Sequence, residues 1–371
     1  MKVKIKREKI MRICAGICAA SFILVLSVTS YSYGIFSYLN VHGASRIIDN
    51  DPSVTSSYRP WTLEPTTPTT TPTTITPAPG GSTDPNQTPG TNPTESNIPT
   101  LPPDYQNMVF NNDLYTVLFI GVDTDEERKA QNKGYNADTL ILISLDVKTN
   151  KTYLISIPRD TKAIINKVNS KGQITGERTD KINAAFGYGL GMDKYGCENT
   201  CAAVERLLEV PVRKYVAIDM DGIAPLTDAI GGVELVIDAD FSAWGMPKGS
   251  LQLLDGEKAY RYVRTRKDVG TGGSDIARTK RQLRFVNAYL QKVKQLNPVT
   301  TYWYNRHLID KYVHTNISNE DMYVYAQLLI NADFEDSFSV SLPGSGDGFY
   351  WILNRNELAA IRNHVFFKNP E

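Results

Sequence analysis

Three short runs of aliphatic and β-branched residues, at 114–122 (LYTVLFIGV), 139–147 (TLILISLDV) and 152–157 (TYLISI), constrain the fold more than any other feature of this chain. Each has the length of a strand and is bounded by turn-forming residues, so all three read as buried strands. Residues 215–218 and 233–237 repeat the pattern. Between and after the strands the apolar spacing changes to that of a helix. Asn199 or Thr200 is placed to cap a helix through Val204, Leu207 and Leu208, and Asp221 is placed to cap another that Gly231-Gly232 ends. Asp255 starts a third, and 319–329 and 355–365 read as helices in the tail. Strands alternating with helices predict an α/β domain over residues 105–371, with a central mixed β-sheet sandwiched by helices.

Within that domain, residues 262–282 (YVRTRKDVGTGGSDIARTKRQ) gather Arg264, Arg266, Lys267, Arg278, Lys280 and Arg281 around a glycine-rich turn. Asp275 is positioned as an N-cap, since a helical spacing runs from Ile276 through Leu283, Val286, Leu290 and Val293. On that helix Arg278, Arg281 and Gln282 lie three and four residues apart and share a face. Arg264 and Arg266 precede the turn, close enough to fold back towards that face. Guanidiniums at a helix N-terminus suit a phosphate or pyrophosphate, because their forks donate bidentately and the helix end adds N–H groups. The competing reading is a solvated basic helix. The flexible loop and the interleaved acid favour the anion site.

Polar residues also stand at the strand ends, where α/β sheets place their ligands. Asp123 follows the first strand, Asp138 precedes the second, and Arg159-Asp160 follows the third after Pro158 has broken it. Two carboxylates beside a pyrophosphate suit Mg2+, which takes oxygen ligands and substrate phosphates. Taken singly, each aspartate reads as a turn residue or a cap; their shared placement is what points to a metal. Lys181 and Asn183, in DKINAAFGYG, form a further polar pair that signifies little by itself. Cys197 and Cys201 lie four apart at a helix start, which leaves open a strained disulfide or two thiols. Neither they nor His42, His307, His314 and His364 have zinc-ligand spacing. There is no G-x-S-x-G, no Walker loop and no histidine placed for a triad.

The N-terminal third sets where this domain works. Residues 1–12 hold six basic side chains against Glu8, and 13–36 carry no charge. Such a span can cross a bilayer, which needs roughly 20 residues. The preceding basic residues keep the N-terminus cytoplasmic, and Tyr31, Tyr33 and Tyr38 suit the outer interface. A cleaved signal peptide is the alternative; the length of the apolar run favours an uncleaved signal-anchor, a single transmembrane helix in the cell membrane with the domain outside. Residues 37–104 follow as an extracellular linker; from about Ser53 to Pro103 it turns to threonine, proline and serine, with twelve of the twenty prolines between Pro60 and Pro103 and Trp61 almost the sole large apolar side chain. Such a composition cannot bury enough surface to fold and predicts a disordered, extended spacer. At ~3.1 Å per residue, the stretch from Ser53 to Pro103 has a ceiling on the order of 150 Å. A net charge of zero gives no field for nucleic acid.

The order of these pieces resembles the LytR-CpsA-Psr family of Gram-positive wall enzymes, from about residue 114 onwards. The matching segments are GVDT (121–124), ADTLILISLD (137–146), SIPRDT (156–161), KINAAFGYG (181–189), DAIGGVEL (228–235), YVRTR (262–266), DIARTKRQ (275–282) and TNIS (315–318). The resemblance implies a central sheet with a groove for a polyprenyl-pyrophosphate lipid. It implies transfer of wall teichoic acid, capsule or another glycopolymer from that lipid to a peptidoglycan hydroxyl. Carried over by motif, Asp123 and Asp138 would hold Mg2+, and Arg159, Arg264, Arg266, Arg278 and Gln282 would hold the pyrophosphate, with Lys181, Asn183 and Arg281 as further substrate contacts. Asp275 would orient or deprotonate the acceptor hydroxyl. Two positions depart from the family: Asp125 and Asn136 stand where arginines are common, flanking a polar insert. A binding or regulatory protein that captures the same anions, and a pyrophosphate hydrolase using water as acceptor, are the alternative functions.

Overall fold

The computed structural model describes residues 58–62, 98–123, 136–265, 269 and 275–370. In chain order the first strands are β1 (Val109–Phe110), β2 (Leu114–Val122), β3 (Ala137–Asp146) and β4 (Lys151–Ile157). A hairpin, β5 (Lys162–Val168) and β6 (Ile174–Lys181), leads into helices α1 (Ala184–Tyr188) and α2 (Gly196–Leu208). Then come β7 (Lys214–Asp219), α3 (Met220–Ala229), a second hairpin of β8 (Val233–Val236) and β9 (Leu251–Leu254), and α4 (Gly256–Arg264). The long α5 (Asp275–Gln295), α6 (Pro298–Tyr312), β10 (Val313–Thr315), α7 (Asn319–Asn331) and β11 (Asp333–Ser341) follow. The chain closes with β12 (Gly344–Gly346), β13 (Trp351–Leu353), α8 (Arg355–Phe366) and β14 (Phe367–Lys368).

The central sheet has six strands in the order β10-β7-β2-β3-β4-β11. β3 is antiparallel to β2 and β4, whereas β2–β7 and β4–β11 are parallel pairs, so the sheet is mixed. The C-terminal ends of β2, β4, β7 and β11 and the start of β3 therefore share one end of the sheet. Both faces are covered, which is why β3 reads as an unbroken apolar run. Leu140 and Leu142 point into the main core with Val204 and Leu208 of α2 and Ile361 and Val365 of α8. Ile141 points the other way and packs with Leu154 against Leu283 and Val286 of α5.

Local chemistry fixes most boundaries. Asp255 caps α4 by accepting from the Lys258 N–H at 2.9 Å. Gly231 and Gly232 follow α3 with φ of +74° and +87°, a conformation that glycine adopts without strain. Two caps differ from the sequence reading. Asp219, not Asp221, caps α3 by accepting from Gly222 N–H at 3.2 Å. α2 begins before Asn199 and Thr200, which are buried inside it; Asn199 donates to the carbonyls of Asn166 and Ala185 at 3.1 and 2.7 Å. A polar side chain near a helix start can serve a tertiary partner instead of the helix.

Cys197 and Cys201 are free and buried in the core. Burial pushes the Cys197 thiol up to about 12, and Cys201 is raised by the same cause. Neither forms appreciable thiolate near neutrality, so native protein should resist alkylation at both positions, read by peptide mapping after iodoacetamide. Modification of both is expected in denaturant; modification without denaturant would show that α2 opens.

The expected transmembrane span at 13–36 lies outside the described residues, as does most of the linker. Among the described residues no helix is long and apolar enough to cross a membrane. The stretch Tyr58 to Thr62 of the predicted linker lies on the domain, with Tyr58 and Trp61 packed against its core. Tyr58 stacks near Phe110 with ring centroids 5.1 Å apart. Trp61 lies under the Arg362 guanidinium at 4.5 Å and donates from its indole nitrogen to Glu209 at 2.9 Å. Asn363 pairs with the Trp61 backbone in both directions, at 2.9 and 2.8 Å.

Candidate active site

The end of the sheet where β2, β4 and β7 stop and β3 starts carries the polar cluster. Asp123 and Asp138 line a cleft of about 400 Å3 together with Arg264 and Thr265 from the end of α4, and Arg278 and Gln282 from the start of α5. Met220 and Val263 complete the wall. Asp138 accepts from Arg159 Nη1 at 2.9 Å, which ties the end of β4 to the start of β3. Arg264 Nη2 stands 3.9 Å from Asp123 Oδ1. Arg278 is only 5% exposed. Desolvating a guanidinium is expensive without nearby counter-charge, and the aspartates of the same cleft supply some of it.

The basic helix splits by side. Arg278 and Gln282, one turn apart, look into the cleft, and Gln282 also donates to the Val263 carbonyl at 3.2 Å. Arg281 does not line the cleft. It is fully buried and donates to the Tyr262 and Thr265 carbonyls at 3.1 and 2.6 Å, where α4 ends. A cation there satisfies the last carbonyls of α4 and opposes its dipole, so Arg281 positions Arg264 from behind. Asn183 acts through its backbone, donating to the Arg159 carbonyl at 3.2 Å and accepting from Ala137 at 3.3 Å. Lys181 pairs with Asp160 at 3.1 Å, next to Arg159. Arg266 and Asp125 lie outside the described residues; Asp275 opens α5 itself, its side chain outside the description. Asn136 is exposed.

A second cavity of about 300 Å3 begins at the cleft, with which it shares Met220, Val263 and Gln282. It runs between the sheet and helices α3, α5 and α7, past Val117, Phe119, Ile143, Phe285 and Leu328. Val117, Phe119 and Ile143 sit in the middle of strands, and Ile218 next to the end of β7, yet all stay partly uncovered, because the helices on this face do not fill against them. An apolar void of this kind holds no water well and favours an apolar guest. Gly121 belongs to its wall; a Cβ there would meet the Thr139 Cβ at 2.8 Å, too close for two packed strands. The TNIS segment supports the same wall: Asn316 accepts from the Tyr215 N–H at 3.1 Å and donates to the Arg213 carbonyl at 2.7 Å, which seats Ile317 against the cavity.

Sequence reasoning missed Asp219, Met220, Val263 and Thr265. Asp219 was accessible by the rule that found Asp123, since it ends β7 directly opposite Val122. Met220, Val263 and Thr265 carry no signal of their own; helix orientation alone puts them at the cleft.

The LytR_cpsA_psr family model matches residues 86–366, three-quarters of the chain and all of the cleft. The chain belongs to the LytR-CpsA-Psr family. A family relative from Bacillus mycoides, named polyisoprenyl-teichoic acid–peptidoglycan teichoic acid transferase TagU, is 30% identical over 242 residues, covering 64% of this chain and 72% of its own. The crystal structure of B. subtilis TagV superposes with a TM-score of 0.53 at 27% identity, over 68% of this chain and 95% of that one. A structure of TagT bound to LIIa-WTA aligns with a TM-score of 0.50 at 25% identity, over 68% and 89% of the two chains. The mixed sheet with helices on both faces is thus the family fold, as the sequence motifs implied.

Proposed function

We propose that this chain is a membrane-anchored phosphotransferase that moves a glycopolymer of the teichoic acid class from a polyprenyl-pyrophosphate lipid to a peptidoglycan sugar hydroxyl. One observation carries the reading: an apolar cavity joins a basic cleft at Met220, Val263 and Gln282. An isoprenoid tail with a pyrophosphate head divides in the same way. The names of the TagU relatives support the polymer class and the acceptor.

In the proposed reaction the acceptor oxygen attacks the phosphorus that bears the glycopolymer. A new P–O bond forms, the bond to the bridging oxygen breaks, and lipid monophosphate leaves; the hydroxyl proton passes to a base, for which the motif match offers Asp275. Arg264 and Arg278 hold charge on the phosphate oxygens from the helical side of the cleft, and Arg266 is assigned the same role by its motif. Arg159 is oriented by its 2.9 Å pair with Asp138 on the sheet side. Positioning and charge neutralisation suffice for such a transfer, with no covalent nucleophile.

Asp123 and Asp138 suit Mg2+. They supply two carboxylates in a cleft where, among the described residues, no third His, Cys, Asp or Glu gathers, and magnesium completes its shell with water and phosphate. Bound there, it would neutralise phosphate charge. The carboxylate pair also favours catalysis over mere capture of an anion, which the arginines alone would serve.

The test uses the full chain in detergent with a lipid-pyrophosphate-linked sugar, Mg2+ and peptidoglycan fragments, products being read by mass spectrometry. Joined sugar and fragment with release of lipid monophosphate is expected. Chelator, Asp123→Asn or Asp138→Asn should each reduce turnover at least 100-fold, as loss of about 3 kcal/mol of charge stabilisation implies. Product formation indifferent to chelator and to both variants would remove the metal role. Sugar released to water would make the chain a hydrolase.

A further inference from the structure

Beyond the cleft, the turn between β12 and β13 presents aromatic and cationic groups together. Asp347 builds the turn: its carboxylate accepts from the N–H groups of Phe349 and Tyr350 at 2.9 and 2.6 Å, and its own N–H donates to the Tyr350 carbonyl at 3.0 Å. The turn is fastened to the active-site side of the sheet. Trp351 N–H donates to the Asp160 carbonyl at 2.8 Å, and Trp351 bridges Thr161 in parallel. Asp160 follows Arg159, whose guanidinium holds Asp138 in the cleft.

One ring projects here, with a half-buried second beside it. Phe349 is 60% exposed, and its ring meets that of Tyr350 edge-on at 4.6 Å. Lys181 Nζ lies 4.8 Å from the Phe349 ring centre and 3.1 Å from Asp160. Lys162 Nζ lies 5.4 Å from the Tyr350 ring centre. An exposed phenyl ring on a turn contributes little to folding, and the Asp347 hydrogen bonds fix the backbone that carries it.

We infer that the Phe349–Tyr350 turn, with Lys162 and Lys181, is a glycan subsite that receives a sugar ring bearing a nearby phosphate or carboxylate. The C–H face of a pyranose carries slight positive charge and packs on the negative face of an aromatic ring. Lysine ammoniums beside the rings then take the anion as point charges. Because the turn is already held by Asp347, binding orders little further chain. Both the donor glycopolymer and the peptidoglycan acceptor carry this chemistry, and the subsite lies beside the cleft that either must reach; its part in transfer rests on the function proposed above.

The experiment measures, by calorimetry on the full chain in detergent, binding of three lipid-free probes: a sugar-substituted polyol-phosphate oligomer, muramic-acid-containing peptidoglycan fragments, and neutral N-acetylglucosamine oligomers. Phe349→Ala should weaken at least one anionic probe by roughly five-fold or more, and Phe349→Tyr should restore it. Lys162→Ala should narrow the preference for anionic over neutral probes. Loss on the polyol-phosphate oligomer assigns the subsite to the donor, and loss on the muramyl fragments assigns it to the acceptor. Unchanged affinity of Phe349→Ala for all three probes, with an unaltered melting temperature, overturns the inference. Arg264→Ala tests the transferase reading separately, because it should impair transfer while the factor by which Phe349→Ala weakens lipid-free binding stays the same. If no donor supports transfer but Phe349→Ala still weakens binding, the subsite stands without that reading.

Discussion

Arg278→Ala should lower transfer at least 100-fold with only a small change in melting temperature, whereas Arg281→Ala, three residues on, should chiefly lower the melting temperature and reduce transfer far less, through Arg264. Arg278 lines the cleft. Two charge-assisted hydrogen bonds from its fork, at roughly 1.5–3 kcal/mol each, amount to 100-fold or more in rate. Arg278→Lys keeps the charge but not the fork, so it should recover only part of the loss. Arg281 instead holds the Tyr262 and Thr265 carbonyls in the interior. Its truncation leaves buried acceptors unmet and should cost about 2–3 kcal/mol, a fall of roughly 5–10 °C for a domain of this size. Arg284→Ala is the control. It removes a surface pair with Asp238 at 3.2 Å and should change neither quantity much. Kinetics and thermal melts on the three variants decide the matter: equal losses of activity with equal stability would reduce the helix to a diffuse basic surface.

Arg362→Ala should be the most destabilising single substitution that leaves the cleft untouched. Arg362 is 1% exposed, and burial pulls its pKa down to about 10. It donates to the carbonyls of Leu208, Arg59 and Glu209 at 2.6, 2.9 and 3.0 Å, and its guanidinium lies between the rings of Trp61 and Phe367. Removing such a hub costs about 3–5 kcal/mol by loss of charged hydrogen bonds and of packing. Part of that loss belongs to the docked residues 58–62. Trp61→Ala should therefore destabilise less by itself and add less than its full effect on top of Arg362→Ala. A coupling of 0.5 kcal/mol or more in the double-mutant cycle is expected, measured by urea unfolding. Strict additivity would mean that Trp61 and Arg362 do not act together and that the segment is not clasped to the domain.

Much of this protein was determined by its sequence read as a line. β2 was legible to its last residue because nothing but a buried strand suits LYTVLFIGV. The ends of α3 and α4 were legible because Gly231-Gly232 and Asp255 act on their own neighbours, through backbone conformation and one short hydrogen bond. The cleft residues Asp123, Asp138, Arg264 and Arg278 were legible because they flank element ends, where chain order already says which groups can meet. Elsewhere tertiary contacts decided. On α5, Arg281 and Gln282 lie some 60° and 40° to either side of Arg278 by the helical period, so both fit one face on paper. The packing of α4 turned one inwards and left the other at the cleft. No helix was read at α6, which keeps Trp303 and Tyr304 at the surface, 56% and 79% exposed. Trp61 gave no structural signal amid proline and threonine, since its partners Glu209, Arg362 and Asn363 lie at least 148 residues away along the chain. Local preference reaches only a few residues; which distant surfaces meet, and which side chain of a helix faces them, is settled by the packing of the whole.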